Sequence, residues 1–417
     1  MKKILTLLFL SVSIATSAQI DPFSKADSLL VKGHYKLALA NLKSIDTLRG
    51  VKNYKTGSIY ASIDDFKNAI TYYIKSLEFK ENFKVQRALA NAYYRVKKYK
   101  EAIIIYEAIL EKDTENLIIQ FQLGKLYMAT NALKKASKTF KMLSLKDPQN
   151  PNYQYQLGLI AARKANRNGM LTHFLNAYKI DTAHVKSIYQ LSKTFSEIRK
   201  RDSARLFADK GLALHPLHLN LNKLKINSLF RNQKYQKSIE RLHVLDSINP
   251  NDLYTQKMLG RSYFGLDSLD LAEVYLKKAQ KIDREDFKIP LNLGHIYAAK
   301  KEHNRASMYY IMALSTGKKD RSEAYYGAGM QYVALKQPKM AIAMYKKALI
   351  ENGGKYKIHY QLALTSDSFY KDKKIAYELY ENYLLRFDDK DKDLTKFVIS
   401  RKKALKTSLF MSGAQVK

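Results

Sequence analysis

The sequence predicts an all-α fold, a solenoid built by stacking helix-turn-helix units. Three observations predict it: an internal period of 34 residues, helical spacing of apolar side chains within each period, and no long Gly/Ser- or Pro-rich linker. One compact core rarely serves 417 residues, so the length requires either several domains or an elongated array. With only 16 Gly and 7 Pro in the chain, a continuous helical body is the better fit.

The N-terminal element stands outside the array. MKKILTLLFLSVSIATSAQ places two lysines before an apolar run from Ile4 to about Ala15, followed by Thr16, Ser17 and Ala18. That layout predicts a secretory signal peptide over residues 1–18, cut after Ala18. Its apolar run falls short of the ~20 residues a spanning helix needs. No later stretch has 18 consecutive apolar residues, so no transmembrane segment is expected after cleavage. The expected location is therefore outside the cytoplasm, in a periplasm, at the cell surface or secreted.

The array begins near residue 24. A slot held mostly by small residues recurs at Gly57, Ala90, Gly124, Gly158, Ser192, Ile226, Gly260, Gly294 and Gly329. Three residues after it comes an aromatic in most copies, such as Tyr60, Tyr127 and Tyr297. Twelve after it lies a small residue, such as Ala69, Ala136 or Ala306. Four further on sits a bulky one, among them Tyr73, Tyr106, Phe140, Phe174, Leu276, Tyr310 and Tyr345. Each block thus holds two amphipathic helices of about a dozen residues, closed by a proline or an Asp/Asn stop. A pair this short cannot bury its own apolar stripe and must stack on its neighbours. A glycine inside a helix costs about 1 kcal/mol relative to alanine, so its recurrence at one slot points to close backbone approach.

FQLGKLYMATNALKKASKTFKMLSLKDP, MLGRSYFGLDSLDLAEVYLKKAQKI and LNLGHIYAAKKEHNRASMYYIMALS carry this pattern most fully. It resembles the tetratricopeptide repeat family, whose motif runs large residue, Leu-Gly, Tyr, then Ala, Phe, Ala and Pro. The resemblance covers residues 24–388 and implies a right-handed superhelix of about eleven units. Departures are expected at three places. The copy at Ile226 lacks the small residue, the first copy is short, and the last shifts register by one residue between Leu362 and Ala376.

Residues 389–417 complete the chain as a capping helix and basic tail. Leu394, Phe397, Val398, Leu405 and Leu409 mark an apolar side suited to covering the last unit. The alternative is a basic amphipathic segment for an anionic membrane, through Lys396, Arg401, Lys402, Lys403 and Lys406.

Chemistry leaves little trace. There is no cysteine, which excludes disulfides, thiolate metal sites and cysteine nucleophiles. No phosphate loop, dinucleotide fingerprint, zinc-protease helix or nucleophile elbow is present. His215 and His218 in HPLH are two histidines without a visible third ligand. No catalytic residue, cofactor or metal is expected, and the chain is read as a non-enzyme.

Charge is the remaining signal. A net +35 attracts anions, and the expected export makes nucleic acid a poor candidate. The family resemblance implies that the first helix of each pair lines a concave face that binds a peptide or protein surface. Five positions per repeat over nine copies give 45 residues, with twelve basic and two acidic side chains. That net +10 exceeds the roughly +4 of an even spread. The candidate partner-binding residues in the N-terminal half are Lys84, Arg87, Arg95, Phe121, Lys125, Tyr155, Arg163, Lys186 and Tyr189. Those that follow are Lys193, Lys223, Asn227, Phe230, Arg231, Tyr254, Lys257, Arg261, Phe264 and Lys288. Interleaved cations and rings suit an extended acidic protein or peptide, with an anionic glycan as the alternative. A third reading is an envelope or secretion assembly factor that binds through its convex face. Some family members clamp an acidic C-terminus with Lys and Asn residues, and Lys223, Asn227 and Lys288 match three of the five positions, with Met258 and Asn292 departing.

Overall fold

The computed structural model describes residues 21–316 and 321–411. The expected signal peptide, residues 1–18, lies outside the described residues. Two compact units divide the chain, Met1–Leu191 and Ser192–Lys417. The described residues form helices and turns, without a strand.

The first unit runs α1 (Ser24–Val31), α2 (Tyr35–Lys43), α3 (Arg49–Ser62), α4 (Phe66–Leu77), α5 (Phe83–Arg95) and α6 (Tyr99–Lys112). It continues with α7 (Leu117–Ala129), α8 (Leu133–Lys146), α9 (Pro151–Arg163) and α10 (Arg167–Ile180). The unit boundary falls inside α11 (Val185–Glu197). In the second unit follow α12 (Arg201–Leu214), α13 (Leu219–Arg231), α14 (Tyr235–Ile248), α15 (Leu253–Gly265), α16 (Leu269–Ile282) and α17 (Lys288–Ala299). The last are α18 (His303–Thr316), α19 (Ser322–Ala334), α20 (Pro338–Glu351), α21 (Tyr356–Phe369), α22 (Lys373–Phe387) and α23 (Lys392–Met411). Within each unit, helices adjacent in sequence pack on one another, which is the all-α solenoid arrangement the period implies.

The glycine slot has a direct physical cause. A Cβ built on Gly124 would come 2.7 Å from Phe140, the bulky residue sixteen positions later. The same clash meets Gly57 with Tyr73 at 2.7 Å, Gly260 with Leu276 at 2.6 Å, Gly294 with Tyr310 at 2.8 Å and Gly329 with Tyr345 at 2.5 Å. The bulky side chain of the second helix is therefore pressed against the backbone of the first. At Ile226 the slot is filled, and the residue sixteen on is the smaller Leu242; both are buried in one cluster. The short first hairpin keeps the same spacing, with Ala26, Ala38 and Leu42 all buried.

Each hairpin turns through one residue in the left-handed region, seven positions after the slot. These are Asp64, Lys97, Asn131, Ala165, Arg199, Gln233, Asp267, Lys301 and Lys336, with φ between 54° and 62°. Gly33, φ 77°, occupies the same place in the first hairpin. The last hairpin departs, as its register shift anticipates: Tyr370, which follows α21, is extended, φ −82° and ψ 136°.

A second column caps the first helix of each pair. Asn82, Asn116, Asn150 and Asp252 sit at the N-caps of α5, α7, α9 and α15, where their side chains accept backbone N–H bonds. His218 does the same for α13, its Nδ1 accepting from Leu221 N–H at 3.2 Å. That contact gives the second histidine of HPLH a structural role. His215 is the C-cap of α12.

The closing helix packs on α22 and shares a cluster with Tyr377, Tyr380, Tyr383 and Phe387 through Val398, Leu405 and Leu409. Arg401 donates two hydrogen bonds to the buried carboxylate of Asp367, at 2.6 and 3.0 Å. Lys402 pairs with Glu381 at 2.8 Å. Two of the five cations that could face a membrane are thus engaged within the protein. No helix among the described residues is long and apolar enough to cross a membrane.

Candidate partner-binding face

The candidate residues lie on the first helices of the hairpins, or just before them, because the period returns each position to the same side. In the first unit, α5 carries Lys84, Arg87 and Arg95, α7 carries Phe121 and Lys125, α9 carries Tyr155 and Arg163, and α11 carries Lys186 and Tyr189. Cations of one first helix reach rings of the preceding one. Lys84 Nζ lies 5.2 Å from the Tyr54 ring centre, and Lys125 Nζ lies 5.7 Å from that of Tyr94. Arg95 lies over Phe66 of α4 at 4.9 Å and pairs with Asp64 at 3.0 Å. Arg163 differs, since its guanidinium donates to the carbonyl of Met128. Lys84, Arg87, Lys125 and Lys186 have no carboxylate partner among the described residues.

The rings are half-buried rather than free. Phe121 packs edge-on against Phe140 at 5.6 Å, and Tyr155 lies 5.8 Å from Phe174 and 5.5 Å from His184. They hold the hairpins together and offer one edge to solvent. Burial raises the Tyr155 hydroxyl above its ordinary range, so the phenol stays protonated.

In the second unit the same alternation recurs on α13 and α15. Lys223 lies 4.8 Å from the Tyr254 ring centre, and Arg261 lies 4.6 Å from that of Phe230. Here the charge balance differs. Lys223 pairs with Asp252 at 3.6 Å, and Lys257 pairs with Asp286. Both aspartates also accept backbone N–H bonds at the start of the next first helix, from Thr255 and Lys288. The corresponding caps in the first unit are the neutral Asn82, Asn116 and Asn150, so Arg87, which holds the repeat position of Lys223 and Lys257, meets no capping carboxylate. Lys193 lies 3.9 Å from Glu197, while Arg231 donates to Ser196 at 3.4 Å. Arg261 and Lys288 make no ion pair among the described residues, and Phe264 is exposed at the end of α15.

The carboxylate-clamp positions are also occupied. Tyr254 Oη donates to the Lys223 carbonyl at 3.2 Å and to Asn227 Oδ1 at 3.1 Å. Lys223 and Asn227 are therefore tied to the next hairpin, and Lys223 faces Asp252 rather than an open cleft. Sequence position alone could not show these carboxylates, because a capping aspartate lies outside the five positions counted per repeat.

No group of three or more metal-ligating side chains occurs among the described residues. The tetratricopeptide repeat family profile matches residues 93–161, and a second profile of the same description matches residues 53–83, 258–286 and 322–349. No curated protein matches the chain. Among solved structures, the chain is similar to MamA residues 41-end from Desulfovibrio magneticus RS-1, at 19% identity and TM-score 0.39, over 40% of this chain and 94% of that one. It is similar to pilF of Pseudomonas aeruginosa at 16% identity and TM-score 0.43, over 51% of this chain and 96% of that one. A tetratricopeptide repeat protein from Parabacteroides merdae aligns at 17% identity and TM-score 0.45, over 62% of this chain and 98% of that one. Proteins built of these repeats generally act as scaffolds for protein–protein interaction, typically without catalysis. Residues 53–83, 93–161, 258–286 and 322–349 are thus matched as tetratricopeptide repeats, and the slot, bulky partner and hairpin turn recur with the same spacing in both units.

Proposed function

We propose that the protein is a non-catalytic interaction scaffold of the cell envelope that binds an extended, acidic protein segment along its first-helix face. The observation that carries this reading is the alternation of cations and rings on successive first helices, Lys84 over Tyr54 and Lys125 over Tyr94. Such a row offers charge at about one site per hairpin and apolar edges between them. An acidic segment with interspersed apolar residues complements both. The uncompensated cations of the first unit make α5 and α7 the expected centre of binding.

The test uses a fluorescein-labelled glutamate-rich peptide and fluorescence anisotropy at several salt concentrations. Binding should weaken steadily with added salt, since exposed charges are screened within about 10 Å at 0.1 M. The triple variant Lys84→Glu, Arg87→Glu, Lys125→Glu should weaken it by about tenfold or more. Unchanged affinity and salt response in that variant would overturn the reading. So would an anionic polysaccharide that binds more tightly than the peptide.

A further inference from the structure

One repeat breaks the packing rule, and the break leaves a cavity. The residue sixteen positions after the slot is Tyr73, Tyr106, Phe140, Phe174, Leu242, Leu276, Tyr310 or Tyr345 in eight copies. After Ser192 it is Ala208. Phe207 cannot take its place, because its ring stacks on Phe195 with centres 5.6 Å apart. A small cleft, partly open to solvent, results; Ser192, Ala204 and Ala208 line it together with α13.

The walls are cationic. Arg201 and Arg205 of α12 and Lys225 and Arg231 of α13 all border the space, with the hydroxyls of Ser196 and Ser228 between them. Two carboxylates offset part of this charge: Asp202 pairs with Arg205 at 3.3 Å, and Asp209 pairs with Lys225 at 2.6 Å. Arg201 has no ion-pair partner among the described residues, and Arg231 meets only the Ser196 hydroxyl and the Asn227 carbonyl. Four cations against two anions leave +2 at one small cavity. A wider opening shares Arg205, Lys225, Ser228 and Asn232 with it and is bordered by Lys234 and Lys237, with Glu240 as its acidic member. An anion would therefore enter along a mostly basic path.

We infer that this cavity is a binding site for a compact dianionic oxyanion, of the phosphate or sulfate class. Guanidinium forks match the oxygen spacing of such groups, and the serine hydroxyls donate to the remaining oxygens. Filling the gap with a ligand also replaces the packing that a bulky side chain supplies in the other repeats. The site is separate from the first-helix face and does not depend on what that face binds.

Calorimetric titration of the purified full chain with sodium sulfate and sodium phosphate tests this, with sodium nitrate at matched ionic strength as the monoanion control. Saturable binding of the two dianions without nitrate binding is expected. Arg201→Gln alters an exposed side chain without an ion pair and should weaken sulfate by about tenfold, the loss of one charge-assisted contact. Ala208→Leu restores the bulk of the other copies without changing charge and should abolish binding, its fold being checked by circular dichroism. Lys125→Gln, in the other unit, should leave sulfate binding unchanged. Nitrate binding as tight as sulfate, no saturable heat, or equal sulfate affinity in wild type and Arg201→Gln would each overturn the inference.

Discussion

A single methyl group tests the repeat at its tightest point. Gly124→Ala gains roughly 1 kcal/mol of helix propensity, but its Cβ would sit 2.7 Å from the buried Phe140 ring. Overpacking of this kind costs about 1–3 kcal/mol, so the variant should be less stable by about 1 kcal/mol. Urea unfolding of the two proteins side by side checks the sign. The hairpin turn gives the opposite expectation. Ala165 adopts φ 54°, a left-handed conformation that costs an L-residue roughly 1–2 kcal/mol. Ala165→Gly should therefore stabilise by about 1 kcal/mol, read as a higher urea midpoint. The slot was legible in the sequence because glycine recurs there. The turn residue was not, since Lys, Ala, Arg and Gln share that column with Asp and Asn and nothing in their chemistry marks it.

At the scale of an element, α23 is fastened by the Asp367–Arg401 pair as well as by its apolar side. Burial works against the Asp367 charge, yet Arg401 and Lys373 hold its carboxyl below the usual range. Asp367→Asn leaves the half-exposed Arg401 weakly held and should cost about 1–3 kcal/mol. Faster hydrogen exchange confined to Lys392–Met411 and its contacts would show it. Glu273 plays a comparable part between α16 and α17. Desolvation raises its pKa, but Lys277, Lys300 and the Tyr297 hydroxyl outweigh it and bring it to about 2. A folded-state pKa below the unfolded one contributes stability above the ordinary value of 4.5, lost as pH falls toward 2. Thermal melts should fall over that window, and Glu273→Gln should flatten the dependence. The apolar side of α23 could be read from Val398, Leu405 and Leu409; its ionic fastening joins residues 34 positions apart and could not.

At the scale of the whole molecule, the +35 charge sets association more than fold. The first-helix face of the first unit keeps Lys84, Arg87, Lys125 and Lys186 without carboxylate partners among the described residues, whereas the second unit pairs Lys223 and Lys257 with Asp252 and Asp286. Charge reversal on α5 and α7 should thus cost an acidic partner more than the same number of reversals at Lys223 and Lys257. Reversing the latter also places two like charges beside Asp252 and Asp286, so those variants should lose stability in a melt. The proposed export has its own measurement: secreted material should begin at Gln19, and an N-terminus at Met1 would refute cleavage.

Sequence by itself determined the class of the fold, the helix pairs and the place of each close approach, because a 34-residue period repeats the same local demands in every copy. It also put Lys84, Arg87 and Lys125 on one face, since period and helix pitch together return a position to the same side. Only the tertiary structure decided which of those charges stay unpaired. A carboxylate that neutralises Lys223 belongs to the cap of the next first helix, 29 residues on. The cavity beside Ala208 has the same origin. A missing bulky side chain is one letter among 417, and its consequence depends on which cations two different helices bring to the gap.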